Sequence, residues 1–349
     1  MAKRVTVLDV AEAAGVSTGT VSAVINARSS VRDTTRQQVM DAIRDLEYRL
    51  PRSSPLARRA SEDGAERPRS VGVIIKEADN PFYADVLLGV RAALEESGAH
   101  LLLGTSEGSF EEEGRLIQAF RERHADGVIV APVLDEHVDL SHLFTLRRTG
   151  FPFVLLGDVH GLQAASVTVD NVKASKAAVR HLIEGGHERI VHVSGPQYSQ
   201  HSRDRVAGVK EAFSESPLQF HDDVVVPGGA RLEDGYRVAL DVFGGDAGRG
   251  GERPTAITCF NDLVAMGALR ALAELGLSVP GDVSVVGYDD IQMAAYLATP
   301  LTTVRVPTRE MGRRAAALLD LQLSSDAPAP PERVVLDAEL VERASTRSL

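Results

Sequence analysis

From residue 71 onward, short aliphatic runs alternate with longer stretches of helical period. Val71–Ile75, Ala99–Leu103, Gly127–Ala131, Phe153–Leu156, Arg189–Val193, Val224–Val226, Ala256–Cys259 and Val283–Gly287 read as buried strands. Between them, Tyr83–Ser97, Glu111–Arg123, Lys173–Glu184, Arg205–Ser214, Asp234–Val242, Asp262–Leu275 and Thr308–Leu323 carry apolar residues at helical spacing. Strands separated by helices must return in the same direction, which builds parallel sheets with right-handed crossovers. Two sheets of about four to six strands suit this count better than one continuous sheet. The expected class is therefore α/β.

The first fifty residues read differently. Thr6 followed by Asp9 is a capping-box pair, with Asp where Glu or Gln is usual. Leu8, Ala11 and Ala14 can share one face of the helix it opens. Gly15 suits the left-handed exit from that helix, and Ser17 can cap a second one. In STGTVSAVIN (17–26), Val21, Val24 and Ile25 follow helical spacing and should face a core. Thr18, Gly19, Ser22 and Ala23 should face outward. A third helix is expected from about Asp33 to Tyr48, with Val39, Ile43 and Leu46 inward. Two short helices joined at a glycine and braced by a third form a helix-turn-helix. The pattern fits a helix that enters a DNA major groove, and it fits equally a helical bundle with no partner.

Charge separates the same two regions. The chain carries a net charge of −11, but residues 1–60 hold ten Lys and Arg against six Asp and Glu. This asymmetry suggests a small basic module joined to a large acidic body, and by charge alone a solvated helical bundle fits it as well. Between them, PRSSPLARRASEDGAERPRS (51–70) has the proline, serine and charge content of a linker. No apolar run approaches the roughly 20 residues of a membrane helix. The amino-terminal residues lack a signal-peptide core, since Thr6 and Asp9 interrupt the run from Val5 to Val10. The single cysteine, Cys259, excludes an intramolecular disulfide and a cysteine-rich zinc site. These features point to a cytoplasmic protein with no membrane partner, cofactor or metal.

The string TVLDVAEAAGVSTGTVSAVIN, followed by TRQQVMDAIRDLEYR, resembles the LacI/GalR family of bacterial transcriptional regulators. The resemblance continues in order through NPFYADVLLGV (80–90), DGVIVAP (126–132), VDN (169–171), HLIEGGHERIVHVSGP (181–196), FNDLVAMGALRAL (260–272), SVVGYDD (284–290) and PLTTV (300–304). It implies a three-helix DNA-binding head over 1–50, a hinge over 51–70, and a two-lobed sensor over 71–349 similar to periplasmic binding proteins. The expected N-lobe is about 71–168 and 305–325, and the expected C-lobe about 169–304 and 326–349. The implied partners are double-stranded operator DNA, a small effector (sugar-like or anionic), and a second copy in a homodimer. That dimer would use the helix of residues 80–97.

By the same resemblance, Thr6, Ser17, Thr20, Ser22, Asn26 and Thr35 match phosphate-contacting positions, with helix capping as the alternative for each; Ser17 could do both. Thr18, Gly19 and Ala23 match positions that read base edges. Ala23 stands where arginine is common, so it offers a methyl group and no fork for guanine. The hinge departs from the family's Tyr-x-Pro-x-x-x-Ala-Arg-x-Leu. Leu56 is the candidate minor-groove wedge and Arg58 a phosphate contact, with an ordinary linker as the alternative. In the sensor, Arg203, Asn261 and Asp289 match effector-contacting positions, while Phe82 and Tyr83 suit either an aromatic wall of the cleft or, equally, packing of the first helix. Asp262 reads as a helix cap and Arg205 as an internal ion pair. Gly157 falls where a carboxylate is often found, Ala230 where an aromatic would stack, and the chain has no tryptophan. An anionic ligand pairing with Lys76 and Arg203 is a second expectation for the cleft.

A solute-binding protein would share the two lobes but has no need of the helix-turn-helix. An enzyme is disfavoured by the lack of a GxSxG elbow, a P-loop or an HExxH motif. The histidines, His124, His192 and His201 among them, have no metal-ligand spacing.

Overall fold

The structure, a computed structural model, describes residues 5–26, 31–46, 48, 68–134, 139–244, 253–325 and 330–349. The chain forms two compact units, Met1–Pro68 and Arg69–Leu349. Leu56, Arg58 and most of the expected hinge lie outside the described residues.

The first unit holds α1 (Val7–Ala13), α2 (Thr18–Ile25) and α3 (Asp33–Asp45). Thr6 caps α1 reciprocally: its backbone N–H donates to Asp9 Oδ2 at 2.7 Å, and Asp9 N–H donates to Thr6 Oγ1 at 3.4 Å. Gly15 turns the chain at φ +65°. The core of this unit contains Val10, Ala11, Val21, Val24, Ile25, Val39 and Ile43. Leu8 is not part of it, being 66% exposed. Ala11 and Ala14 do face inward, joined by Val7 and Val10 in place of Leu8.

The second unit is built on two six-stranded sheets. Its strands are β1 (Ser70–Ile75), β2 (His100–Thr105), β3 (Gly127–Val130), β4 (Phe153–Leu156), β5 (Ala165–Val169), β6 (Ile190–Ser194), β7 (Val225–Pro227), β8 (Ala256–Cys259), β9 (Ser284–Asp289), β10 (Thr302–Arg305), β11 (Arg333–Leu336) and β12 (Glu339–Val341). The first sheet runs β11-β5-β4-β3-β1-β2 and every pairing in it is parallel. The second runs β12-β10-β9-β8-β6-β7, with only β12 antiparallel to its neighbour. The central strands β3, β4, β6 and β8 are buried along their whole length, as strands covered by helices on both faces must be.

The helices are α4 (Phe82–Glu96), α5 (Phe110–Glu122), α6 (Ser141–Thr149), α7 (Asn171–Glu184), α8 (Gln200–Ser214), α9 (Leu232–Phe243), α10 (Asp262–Glu274) and α11 (Thr308–Ser324). Helices α4 and α11 cross so closely that a Cβ on Gly89 would overlap the Arg309 carbonyl oxygen.

The chain passes between the sheets three times, after β5, after β10 and after β11. The third passage corrects the expected lobe boundary. Residues 326–349 do not all belong to the C-lobe, because β11 pairs in parallel with β5, Arg333 opposite Ser166. A four-residue edge strand with an alternating exposed face carries no local mark of which sheet it will join. Four further elements had no clear sequence pattern: α6, β5, β10 and β12. Strands β5 and β10 contain Ser166, Thr168, Thr302 and Thr303, all buried, and such polar residues break an apolar run. Three of these hydroxyls bond inside the fold: Ser166 donates to Asp158 at 2.8 Å, Thr303 donates to Asp262 at 2.6 Å, and Thr302 accepts the Arg343 N–H at 2.9 Å.

Candidate functional sites

In the first unit, Ser17 Oγ accepts the Thr20 N–H at 3.1 Å and lies 2.9 Å from the Thr20 hydroxyl. This satisfies one of the open amides at the start of α2. Burial of Val21, Val24 and Ile25 fixes the helix rotation. Thr18, Gly19 and Ser22 are left exposed and Ala23 half-buried. Asn26 is exposed, and its amide donates back to the Ser22 carbonyl at 2.8 Å. Thr35 is half-buried within the first turn of α3, whose N-cap is Arg32, so Thr35 is not a cap.

In the second unit, a cavity of about 170 Å³ opens beyond the carboxyl ends of the strands of both sheets. Lys76 follows β1, Gly157 follows β4, Asn261 follows β8, and Asp289 ends β9. Strand order reverses beside β1 in the first sheet and beside β6 in the second. Such reversals splay the connecting loops apart and leave a crevice for a ligand. Phe82, Tyr83, Asn261 and Asp289 all line this cavity. The Phe82 and Tyr83 rings meet edge to face at 5.3 Å.

Arg203 does not line it. It is exposed on α8, donating to Tyr198 O at 3.1 Å and to Gln200 Oε1 at 2.8 Å. The cause is the earlier start of this helix, at Gln200. Two residues along a helix rotate by about 200°, so Arg203 and Arg205 point to opposite sides. Arg205 faces the cavity, and so does His201, four residues before it. The i, i+4 spacing of His201 and Arg205 was the available sequence signal for this face.

Arg205 is the hub of the C-lobe wall. Its Nε donates to Asn171 Oδ1 at 3.0 Å, and its Nη1 donates to the Phe260 carbonyl. Nη2 lies 3.8 Å from Asp289 Oδ1. The guanidinium sits 3.5 Å from the Tyr288 ring centroid and 4.5 Å from that of Phe260. Burial pushes the Asp289 carboxyl up to about 7, and Arg205 opposes that rise. Asp289 also adopts φ +108°, a conformation rare for residues with a side chain.

Asn261, not Asp262, caps α10. Asn261 Oδ1 accepts the Val264 N–H at 2.8 Å, and its amide donates to Ala230 O at 2.9 Å. Asp262 is fully buried and accepts from the Thr303 hydroxyl and from the Ile291 N–H at 2.8 Å. Burial drives its carboxyl well above the usual range, with the nearby Asp289 adding to the effect.

Neighbours determine the tautomer of His201. Asn171 Oδ1 accepts from Arg205 Nε and from Tyr288 Oη at 3.0 Å. Its amide nitrogen therefore donates, to Val169 O and to His201 Nδ1, each at 3.3 Å. Burial lowers His201 to about 3, helped by the charges of Lys76 and Arg205. A neutral ring that accepts at Nδ1 carries its proton on Nε2. That atom faces Gly157, where a Cβ would lie 3.1 Å away.

Among the described residues no group of three or more His, Cys, Asp or Glu could hold a metal ion. No described helix is long and apolar enough to cross a membrane.

Residues 6–50 match the family described as bacterial regulatory proteins, lacI family, and residues 179–346 match a periplasmic binding protein-like domain. The HTH-type transcriptional repressor PurR of Photobacterium profundum is 31% identical over 345 residues, covering 99% of both chains. A transcriptional regulator CelR–cellobiose complex superposes with a TM-score of 0.70 at 32% identity, over 98% of this chain and 100% of that one. The lac repressor dimer, bound to operator and the anti-inducer ONPF, superposes at 0.69 with 26% identity, over 99% and 100%.

Proposed function

Because this chain belongs to the lacI family of bacterial regulatory proteins, we propose that it is a sequence-specific repressor of transcription controlled by a small molecule in its cleft. One observation carries the DNA half of this reading. Helix α2 is capped, anchored by three buried aliphatic residues, and presents Thr18, Gly19 and Ser22 to solvent. We assign Thr18, Gly19 and Ala23 to base edges. Thr6, Ser17, Thr20, Ser22, Asn26 and Thr35, with Leu56 and Arg58 of the hinge, are assigned to the DNA backbone and minor groove. Small side chains on the reading helix favour methyl contacts and DNA shape over arginine–guanine pairing.

The effector half rests on the cavity at the strand ends. Phe82 and Tyr83 supply an apolar wall, Asn261 and Asp289 polar contacts, and Arg205 holds Asp289 in place. CelR holds cellobiose, and a sugar or related polar metabolite suits this mixed lining. Binding must favour one lobe arrangement over the other to alter operator affinity. The working form is a homodimer, as pseudo-palindromic operators require two heads. The protein acts in the cytoplasm and is not an enzyme.

Selection of random DNA fragments by the full-length protein, at a stated salt concentration, tests the reading. Enrichment of one pseudo-palindromic site is the expected result. A folded dimer that enriches no site, with or without cell metabolites, would sink it.

A further inference from the structure

The cleft contains two hydrogen-bond donors that the protein itself does not use. Lys76 leaves the end of β1 half-buried in the cavity lining. Among the described residues, its ammonium has no hydrogen-bond or ion-pair partner. The carboxylates near it are engaged elsewhere. Glu113 is fully buried, with one oxygen 2.6 Å from His142 Nε2 and the other accepting the Val133 N–H at 2.8 Å. Glu77 accepts from the Asn80 amide at 3.3 Å and lies 4.0 Å from Arg231. Asp289 faces Arg205.

The second donor is His201 Nε2–H, whose proton is placed by the Asn171 network described above. It faces Gly157, whose lack of a side chain leaves room at that point. Gly157 holds φ +116°, so a side chain there would be strained as well as crowded. Both donors line the one cavity, and Lys76 is close enough for its charge to act on the imidazole. A desolvated ammonium is costly until an opposite charge accompanies it. In agreement, burial lowers the Lys76 pKa although Glu113 and Glu77 pull the other way.

We propose that the effector carries an oxyanion, a carboxylate or a phosphate, that seats on Lys76 Nζ and His201 Nε2 over Gly157. The other end of the molecule reaches Asp289 and Asn261, which suit hydroxyl groups. The cavity of about 170 Å³ is smaller than the roughly 300–1,000 Å³ of drug-sized sites, so the occupant is a small acidic polyol rather than a large conjugate. This proposal rests on the regulator reading above, because it names the chemistry of that protein's effector.

The test uses the full-length protein, with glucose, glucuronate, glucose 6-phosphate and inorganic phosphate as probes. Calorimetry and thermal shift read binding to the wild type and to Lys76→Gln and Lys76→Arg. Acidic probes are expected to bind at least tenfold more tightly than glucose. Lys76→Gln should abolish that preference and Lys76→Arg should retain it. Glucuronate and glucose 6-phosphate distinguish a carboxylate from a phosphate. Near-UV circular dichroism of each variant shows that it has folded, and the Arg variant covers the case in which Gln does not fold. The proposal fails if glucose binds as tightly as the acids, if Lys76→Gln keeps the preference, or if no probe stabilises the protein in a Lys76-dependent way. DNA selection judges the regulator reading separately. A protein that selects an operator but shows no Lys76-dependent preference keeps that reading and loses this one. A protein that selects no operator loses the regulator reading, whatever it binds.

Discussion

Asp289 is an ordinary aspartate by composition and an unusual acid by position. Burial holds its proton until about pH 7, against the pull of the Arg205 charge. The unfolded chain releases that proton near pH 4. Between these values the native state binds more protons than the unfolded state, so this contribution to stability declines as pH rises through the window. Above pH 7 both states are ionised and the decline stops. Asp289→Asn should remove this slope. We expect wild type and variant melting curves to converge at acidic pH and separate toward pH 8, the variant becoming relatively more stable by up to a few kcal/mol. Parallel pH profiles would show that Asp289 is ionised throughout. Arg205 could be recognised in the sequence as an ion-pair partner. Its stacking on Tyr288 could not, because the two residues are 83 positions apart and meet only when β9 lies beneath α8.

Helix α2 is capped by a residue that is also proposed above to contact the DNA backbone. Ser17 closes its first turn and also stands exposed at the end meant to approach DNA. The roles separate by substitution. Ser17→Ala removes the cap and should cost about 1 kcal/mol of head stability. Ser17→Asp keeps a good cap and favours the positive helix end, so stability should survive. Its charge faces phosphate, so operator affinity should fall at least tenfold. Amide exchange of α2 reads the first effect and operator titration the second. An aspartate variant that binds DNA normally would assign Ser17 to capping alone. The sequence showed this element through its cap, glycine exit and aliphatic spacing, because all three are local. It did not show the true start of α8, at Gln200, where Ser199 stands at the N-cap but forms no side-chain cap bond.

At the scale of the whole molecule, the uneven charge sets how the protein meets DNA. The chain carries −11, while residues 1–60 hold four more basic than acidic groups. The acidic sensor is repelled by the duplex and the head is drawn to it, so binding should depend steeply on salt. Between 50 and 200 mM salt, operator affinity should fall by about three decades or more, on the scale of six or more phosphate contacts. A shallow slope would mean that few of the assigned backbone contacts form. The passage after β10 is fastened near the cleft. Asp290, next to Asp289, accepts from Arg305 at 2.7 Å and from Arg343 at 2.6 Å, and Val306 N–H reaches the Asp289 carbonyl at 3.3 Å. The residue that faces the cavity is thereby joined to the end of β10 and to the segment that follows β12.

Amino-acid order alone established the alternation of strands and helices, the helix-turn-helix with its caps, the basic head, and the strand ends where a ligand would sit. Each of these follows from local periodicity, from a cap within four positions or from a count of charges along a segment, and so requires no knowledge of distant atoms. The tertiary structure decided the rest: that β11 crosses to the first sheet, that His201 and Arg205 face the cleft while Arg203 faces solvent, and that Lys76 lacks a partner. Those outcomes depend on desolvation and on contacts between residues far apart in the chain. A buried charge is defined by what surrounds it, and here the surroundings come from both sheets.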